Sequence, residues 1–292
     1  MNPDDWHLTE DLDDFLARAG DFLRSRPAPH TVQLTVTETL RTRGADAYGA
    51  GAPVFGRLER AGEVRATFFR TPPHRLSLTP LTPEQADTLA ARLSGLGHPL
   101  PGVGADHATA TAFARAWQRH TGATPELRER QRLYRLGTLT PPRPLPEGRS
   151  RVAGEQDRDR LVRWHHEFAA DIAEAPVADA GSRAADRFAD SHVTFWETPD
   201  GTPVSMAGMT PMTAGQIRVT PVYTPAPLRG RGYAGAVTAE VSRAALAAGA
   251  TEVLLFADLA NPTSNALYRR IGYVPVTDFA VYDFSYAGAK AR

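Results

Sequence analysis

The sequence predicts a mixed α/β protein: a mostly antiparallel central sheet flanked by helices, with a second α/β domain at its N-terminus. Three observations predict it. Helical and strand-like periodicities alternate along the chain. A length of 292 residues exceeds one ordinary domain. Prolines at 141, 142, 144 and 146 interrupt every regular pattern near the middle, because each removes a backbone donor. The expected division is an N-terminal domain over 1–139, a Pro-rich linker over 140–150 and a C-terminal domain over 151–292.

In chain order, Leu12, Phe15, Leu16, Ala19, Phe22 and Leu23 recur at helical spacing behind Thr9 as N-cap. Residues 31–37 and 53–60 are rich in β-branched and apolar side chains and predict strands, and Ala61-Gly62 predicts the turn of a hairpin into 63–69. Helices are expected over 83–93 and 106–120, a Gly-rich turn at Gly102-Val103-Gly104, and a closing strand over 129–136. After the linker come a short strand at 151–153, helices over 157–172 and 184–190, and strands over 192–197, 203–210 and 216–223. Pro199-Asp200-Gly201 reads as the hairpin turn between the first two of those strands. A helix over 235–248, a buried strand over 252–257, a further helix and two strands complete the pattern.

Composition narrows the function classes. The chain has 33 basic and 33 acidic residues, which leaves no excess charge to neutralise a nucleic-acid backbone or an anionic membrane. It has no cysteine, which excludes disulfides, thiolate metal sites and an acyl-cysteine intermediate. Residues 1–10 are acidic and polar, unlike a secretory signal, and no apolar run approaches the roughly 20 residues that cross a bilayer; a cytoplasmic protein is expected.

One segment carries chemistry. From Val219 to Ala236 the chain reads as a strand, a Pro-bounded turn and a Gly- and Arg-rich helix start. Glycines at 230, 232 and 235 allow close backbone approach, helix-terminal amides present their positive ends, and Arg229 and Arg231 add charge: the makings of a pyrophosphate site. Neither Gly-x-Gly-x-x-Gly after a first strand nor Gly-Lys-Ser/Thr is present, which disfavours dinucleotide and P-loop folds.

Here the sequence resembles the GNAT superfamily of N-acetyltransferases, over about residues 151–284. Arg229-x-x-Gly232-x-Ala234 matches the family's pyrophosphate loop. Downstream, Asn261-Pro262-Thr263-Ser264-Asn265-Ala266-Leu267-Tyr268, closed by Gly272 and Tyr273, resembles its second signature. The resemblance implies acetyl-CoA as cosubstrate and direct acetyl transfer to a primary amine of a small molecule. It implies that backbone groups of Val222, Tyr223 and Thr224 pair with the pantetheine arm and that the Val222 amide donates to the oxyanion. Amides of Arg229, Gly230, Arg231, Gly232, Tyr233, Ala234 and Gly235 would hold the pyrophosphate. Asn261 and Ser264 would lie on the coenzyme, with Tyr268 beside the sulfur as general acid.

Other readings stand beside these. Asn261 followed by Pro262 also makes a good N-cap and first helical position, and Tyr268 also reads as packing against Ile271 and Tyr273. Asp258, Glu167 and Glu197 compete for the role of base, with loss of the amine proton through water as the alternative. His165-His166-Glu167 does not predict a metal site, because adjacent helical positions diverge by about 100 degrees, unlike an i, i+4 pair. Acceptor specificity is expected from 164–171, from the loop at 174–182 and from the first domain, which loosely repeats the order of the second without its Arg-x-x-Gly-x-Ala signature. An acyl-CoA-binding sensor without turnover and a protein-lysine acetyltransferase are the alternative functions.

Overall fold

The computed structural model describes residues 5–97, 99–171 and 192–287. The chain forms two compact units: Met1–Leu133 with Ala257–Ala260 and Val276–Arg292, and Tyr134–Phe256 with Asn261–Pro275. The 140–150 segment thus lies inside the second unit, and residues 276–287 belong to the first. Within the second unit, prolines of that segment sit against the glycines of a helix start: a methyl on Gly235 would come 3.2 Å from Pro142 Cγ.

The first unit comprises β1 (Asp5–Thr9), α1 (Leu12–Ser25), α2 (Thr31–Arg43), β2 (Val54–Arg60), β3 (Glu63–Arg70), β4 (Leu76–Leu78), α3 (Pro83–Ser94), β5 (Gly102–Asp106), α4 (His107–Thr121) and most of β6 (Thr124–Leu136). Its strands run in the order β1-β2-β3-β4-β5, and the next strand is the last of the chain, β12 (Tyr273–Ser285), antiparallel to β5 with Phe279 opposite Asp106 and Asp283 opposite Gly102. Ala280 and Phe284 join Trp6, Leu58, Phe68, Phe113 and Trp117 in its core.

Four expectations are corrected here. Residues 31–37, rich in Thr and Val, are helix and not strand: the threonines discharge their hydroxyls onto carbonyls one turn back, as Thr35 to Thr31 at 2.7 Å and Thr37 to Gln33 at 2.8 Å, and the buried positions Thr31, Leu34, Thr37 follow the helical period. The cap of α1 is Asp11, whose carboxylate accepts from Asp13 N and Asp14 N, and Thr9 instead accepts from Asp11 N. Gly102-Val103-Gly104 is strand β5, its glycine at 102 admitting the Tyr282 carbonyl 2.1 Å from where a Cβ would stand. The final pair of expected strands is the single strand β12, and β1 and β4 had not been expected at all.

The second unit contains β7 (Arg149–Val152), α5 (Arg158–Asp171), β8 (Thr194–Glu197), β9 (Pro203–Met209), β10 (Gln216–Tyr223), α6 (Tyr233–Ala247), most of β11 (Glu252–Asp258) and α7 (Pro262–Arg270). Its strands run β11-β10-β9-β8-β7. The helix expected over 184–190 and the loop over 174–182 lie outside the described residues. α5 lays Leu161 and Trp164 on Phe195, Met206 and Tyr223, which places it over the end of β10. The sheet is mostly antiparallel, with β10 and β11 parallel.

Candidate coenzyme and transfer site

Two departures from regular pairing in β10 create the site. Parallel pairing with β11 runs through Gln216, Ile217 and Arg218, opposite Glu252, Val253 and Leu254, whereas β10 itself continues to Tyr223. Beyond Arg218 the two strands part, and the β11-facing edge of β10 is freed from the ladder. On its other edge β10 pairs with β9, and there the register slips: Val219 faces Met209 but Val222 faces Ala207, one residue more on β10 than on β9. The extra residue falls at Thr220-Pro221, and proline lacks the ladder donor, so it suits a bulge. Gly208 opposite accommodates it, since a Cβ there would stand 2.7 Å from the Thr220 carbonyl.

The bulge reverses the direction of the amides that follow. Backbone groups alternate between the two edges of a strand. Arg218 presents its carbonyl to β9, accepting from Thr210 N at 2.9 Å. Without the slip, Val222 would face β9 as well. With it, Tyr223 faces β9, its carbonyl accepting from Ser205 Oγ at 3.0 Å, and Val222 turns its N–H and C=O toward the freed edge. Ser205 is fully buried and also bonds Thr224 Oγ1 at 2.8 Å, which pins this peptide from behind.

The loop that follows ends in an uncapped helix. Gly230 and Gly232 have φ of +77° and +84°, a region that costs any side chain about 1 kcal/mol or more, and Gly232 is the N-cap of α6 with no side chain to fill the role. The first intrahelical bond is Ala236 N to Gly232 O at 3.1 Å, so the amides of Tyr233, Ala234 and Gly235 lack an intrahelical acceptor. They face outward with the positive end of the helix dipole, a ready anion site. Gly235 has a further reason to be glycine: a Cβ would meet Leu267 Cδ1 at 3.0 Å, a packing constraint. Arg229 is committed to the protein, its Nε donating to the Thr224 carbonyl at 3.0 Å and its guanidinium paired with Asp171. Arg231 makes only a long contact to the Pro227 carbonyl, 3.4 Å.

Tyr268 lies on α7, buried with its ring 6.1 Å from that of Tyr273 and 6.4 Å from that of Tyr134. Burial pushes its phenol up to about 12, so it is protonated throughout the neutral range. Among the described residues its hydroxyl has no hydrogen-bond partner. Asn261 caps α7, accepting from Ser264 N at 3.0 Å. Sequence reasoning missed Asn265 and Tyr134: Tyr134 Oη donates to Asn265 Oδ1 at 2.8 Å and Asn265 Nδ2 to the Asn261 carbonyl at 2.7 Å, both within the second unit. Tyr134 precedes Asn265 by 131 positions and carries no local signal. Asn265 lay within the second signature, where it read as filler.

The competing carboxylates separate. Glu197 is buried and bound to Arg151, 2.6 Å away, which also grips Asp157 at 2.7 and 2.9 Å. Asp258 accepts from Ala260 N at 2.9 Å, shaping a turn, and its residues belong to the first unit. Glu167 accepts from Tyr223 Oη at 2.8 Å.

Residues 155–273 match the profile of the acetyltransferase (GNAT) family. This part of the chain is a GNAT N-acetyltransferase domain. Solved structures extend the likeness over nearly the whole chain. A GCN5-related N-acetyltransferase from Sphaerobacter thermophilus superimposes with a TM-score of 0.58 at 18% identity, covering 97% of this chain and 95% of its own. A GNAT-family acetyltransferase from Colwellia psychrerythraea gives 0.59 at 11%, covering 96% and 100%. A tandem GNAT protein from the clavulanic acid biosynthesis pathway gives 0.59 at 11%, covering 98% and 100%. At these identities the likeness concerns fold. No curated protein matches in sequence. The first unit follows the order β-α-α-β-β-β-α-β-α-β, and its helix starts differ from those of the second. Its α3 is closed by a capping box, Thr82 Oγ1 accepting from Gln85 N and Gln85 Oε1 from Thr82 N, with Glu84 in the first turn. Seven residues beyond the N-cap, where α7 has Tyr268, α4 has Phe113.

Proposed function

We propose that the chain transfers an acetyl group from acetyl-CoA directly to a primary amine of a small molecule, binding one coenzyme per chain in the second unit. The observation that carries the reading is the bulge in β10: it aims the Val222 amide at the freed edge, one short loop before the uncapped start of α6. Amides from Gly230 to Gly235 suit a pyrophosphate, and backbone groups of Val222 and Thr224 suit the amides of a pantetheine arm lying as an extra strand; the expected pairing of Tyr223 with that arm is corrected, because its backbone faces β9, and the reading keeps Asn261 and Ser264 along the arm. A thioester carbonyl against Val222 N–H gains an oxyanion donor of roughly 3–4 kcal/mol. The amine nitrogen bonds to the carbonyl carbon, the C–S bond breaks, and Tyr268 protonates the departing thiolate. For a thiolate in water, with pKa about 8.5, proton transfer from a phenol near 12 would be uphill by about 5 kcal/mol. In a buried site the same desolvation raises the thiol too, so donation inside the closed site closes much of that gap.

Isothermal calorimetry with acetyl-CoA and CoA tests binding, with a stoichiometry of one expected, and release of free thiol across a panel of amines tests transfer. Gly232→Asp, which adds strain and a negative charge at the anion site, is expected to weaken coenzyme binding more than tenfold. Absence of heat with either ligand would overturn the reading. Binding without thiol release would favour an acyl-CoA sensor, and release only with lysine-containing peptides a protein-lysine acetyltransferase.

A further inference from the structure

β10 carries no carboxylate of its own, its sequence being Gln-Ile-Arg-Val-Thr-Pro-Val-Tyr. A side chain that takes the acceptor's proton would therefore stand on another element. Glu197 and Asp258 are occupied as described, by an arginine and by a turn. Glu167 differs in three respects. It stands on α5, over the sheet face onto which Tyr223 projects, next in sequence to the Val222 amide. One carboxylate oxygen is fixed by Tyr223 Oη at 2.8 Å, while the side chain keeps 42% of its surface exposed. Trp164 and Phe168 hold the Tyr223 ring edge-on at 6.0 and 6.3 Å, so the anchor itself is rigid.

We infer that Glu167 is the catalytic base of the proposed transfer, with Tyr223 as the residue that positions it; the inference rests on the reading of the preceding subsection. As the N–C bond forms, the attacking nitrogen becomes positively charged and strongly acidic, and its proton passes to the other oxygen of Glu167, Oε1, which carries only the 3.9 Å ion pair to Arg163. The electron pair of the C–S bond leaves with sulfur, which takes its proton from Tyr268, so charge and protons balance. Tyr223 stays neutral and donates throughout: burial first, then the bond to Glu167, push its phenol up to about 12. The charged groups around Glu167 are Arg163 at 3.9 Å on its own helix and, from the loop after β10, Arg229 paired with Asp171 one turn on.

The test compares full-length Glu167→Gln and Tyr223→Phe with the wild type, using acetyl-CoA, a strongly basic alkylamine and a weakly basic acceptor such as methoxyamine. Glu167→Gln is expected to lower kcat with the alkylamine about 10²-fold and to leave acetyl-CoA affinity within twofold. The deficit is expected to shrink severalfold with methoxyamine, whose nitrogen is the more acidic once it carries the new N–C bond and so depends less on a side-chain base, a change that a purely structural role would not produce. Tyr223→Phe retains the carboxylate and is expected to fall about tenfold in kcat. A Glu167→Gln enzyme within threefold of wild type, or equally impaired with both amines, overturns the inference while leaving acetyl transfer intact. A wild type that binds no acetyl-CoA overturns the underlying reading, and the inference with it.

Discussion

Tyr268 holds its proton between two other buried rings, and removing its oxygen leaves the packing almost unaltered. Tyr268→Phe is therefore expected to lower kcat by 10- to 10²-fold with acetyl-CoA affinity unchanged, measured by thiol release and calorimetry; a fall in affinity equal to the fall in rate would assign the residue to packing. Asp157 belongs to a different kind of interaction. The Arg151 guanidinium, with a smaller contribution from Gly154 N, holds its carboxyl below the usual range. A depressed folded value means that the stabilisation is present above the unfolded value, near 4, and is lost as pH falls through the folded one. Asp157→Asn is expected to cost about 1.5–3 kcal/mol at pH 7, and the gap in Tm between variant and wild type to close as pH drops below about 4.

At the scale of elements, the bulge is the part that the proposed function depends on most and sequence displays least. Gly208→Val would press on the Thr220 carbonyl and disturb the slip that turns Val222 outward. Thiol release is expected to fall more than tenfold while CoA, which the proposed reading holds mostly through its pyrophosphate at α6, retains most of its affinity by calorimetry. Retained turnover would show that the amide direction tolerates the change. The strand β10, the uncapped start of α6 and the Asn261 cap of α7 were all legible, because glycine, proline and asparagine announce local backbone requirements. The slip was not, since it depends on how β9 and β10 count against each other across a turn. Thr31–Arg43 misled for a related reason: β-branched composition is a local preference, and tertiary burial on a helical period overrode it.

At the scale of the whole molecule, the first unit closes its α3 start with its own side chains. A capping box satisfies the helix start that a phosphate would otherwise occupy, and Glu84 adds a charge of the wrong sign. The missing Arg-x-x-Gly-x-Ala signature was readable; the strand that completes that unit was not, because β5 and β12 meet across more than 170 positions of chain. A chain ending at Pro275 lacks the partner of β5 and the core residues Ala280 and Phe284. Loss of protection of the first-unit amides in hydrogen exchange is expected in such a truncation, and persistence of native protection there would refute the pairing.

That late strand also sets a timetable. A ribosome adding about 5–20 residues per second needs on the order of 10 to 30 s to travel from Leu133 to Asp283. Throughout that interval the nascent first unit waits with one side of β5 bare, so the earliest part of the protein to be made is among the last to be finished.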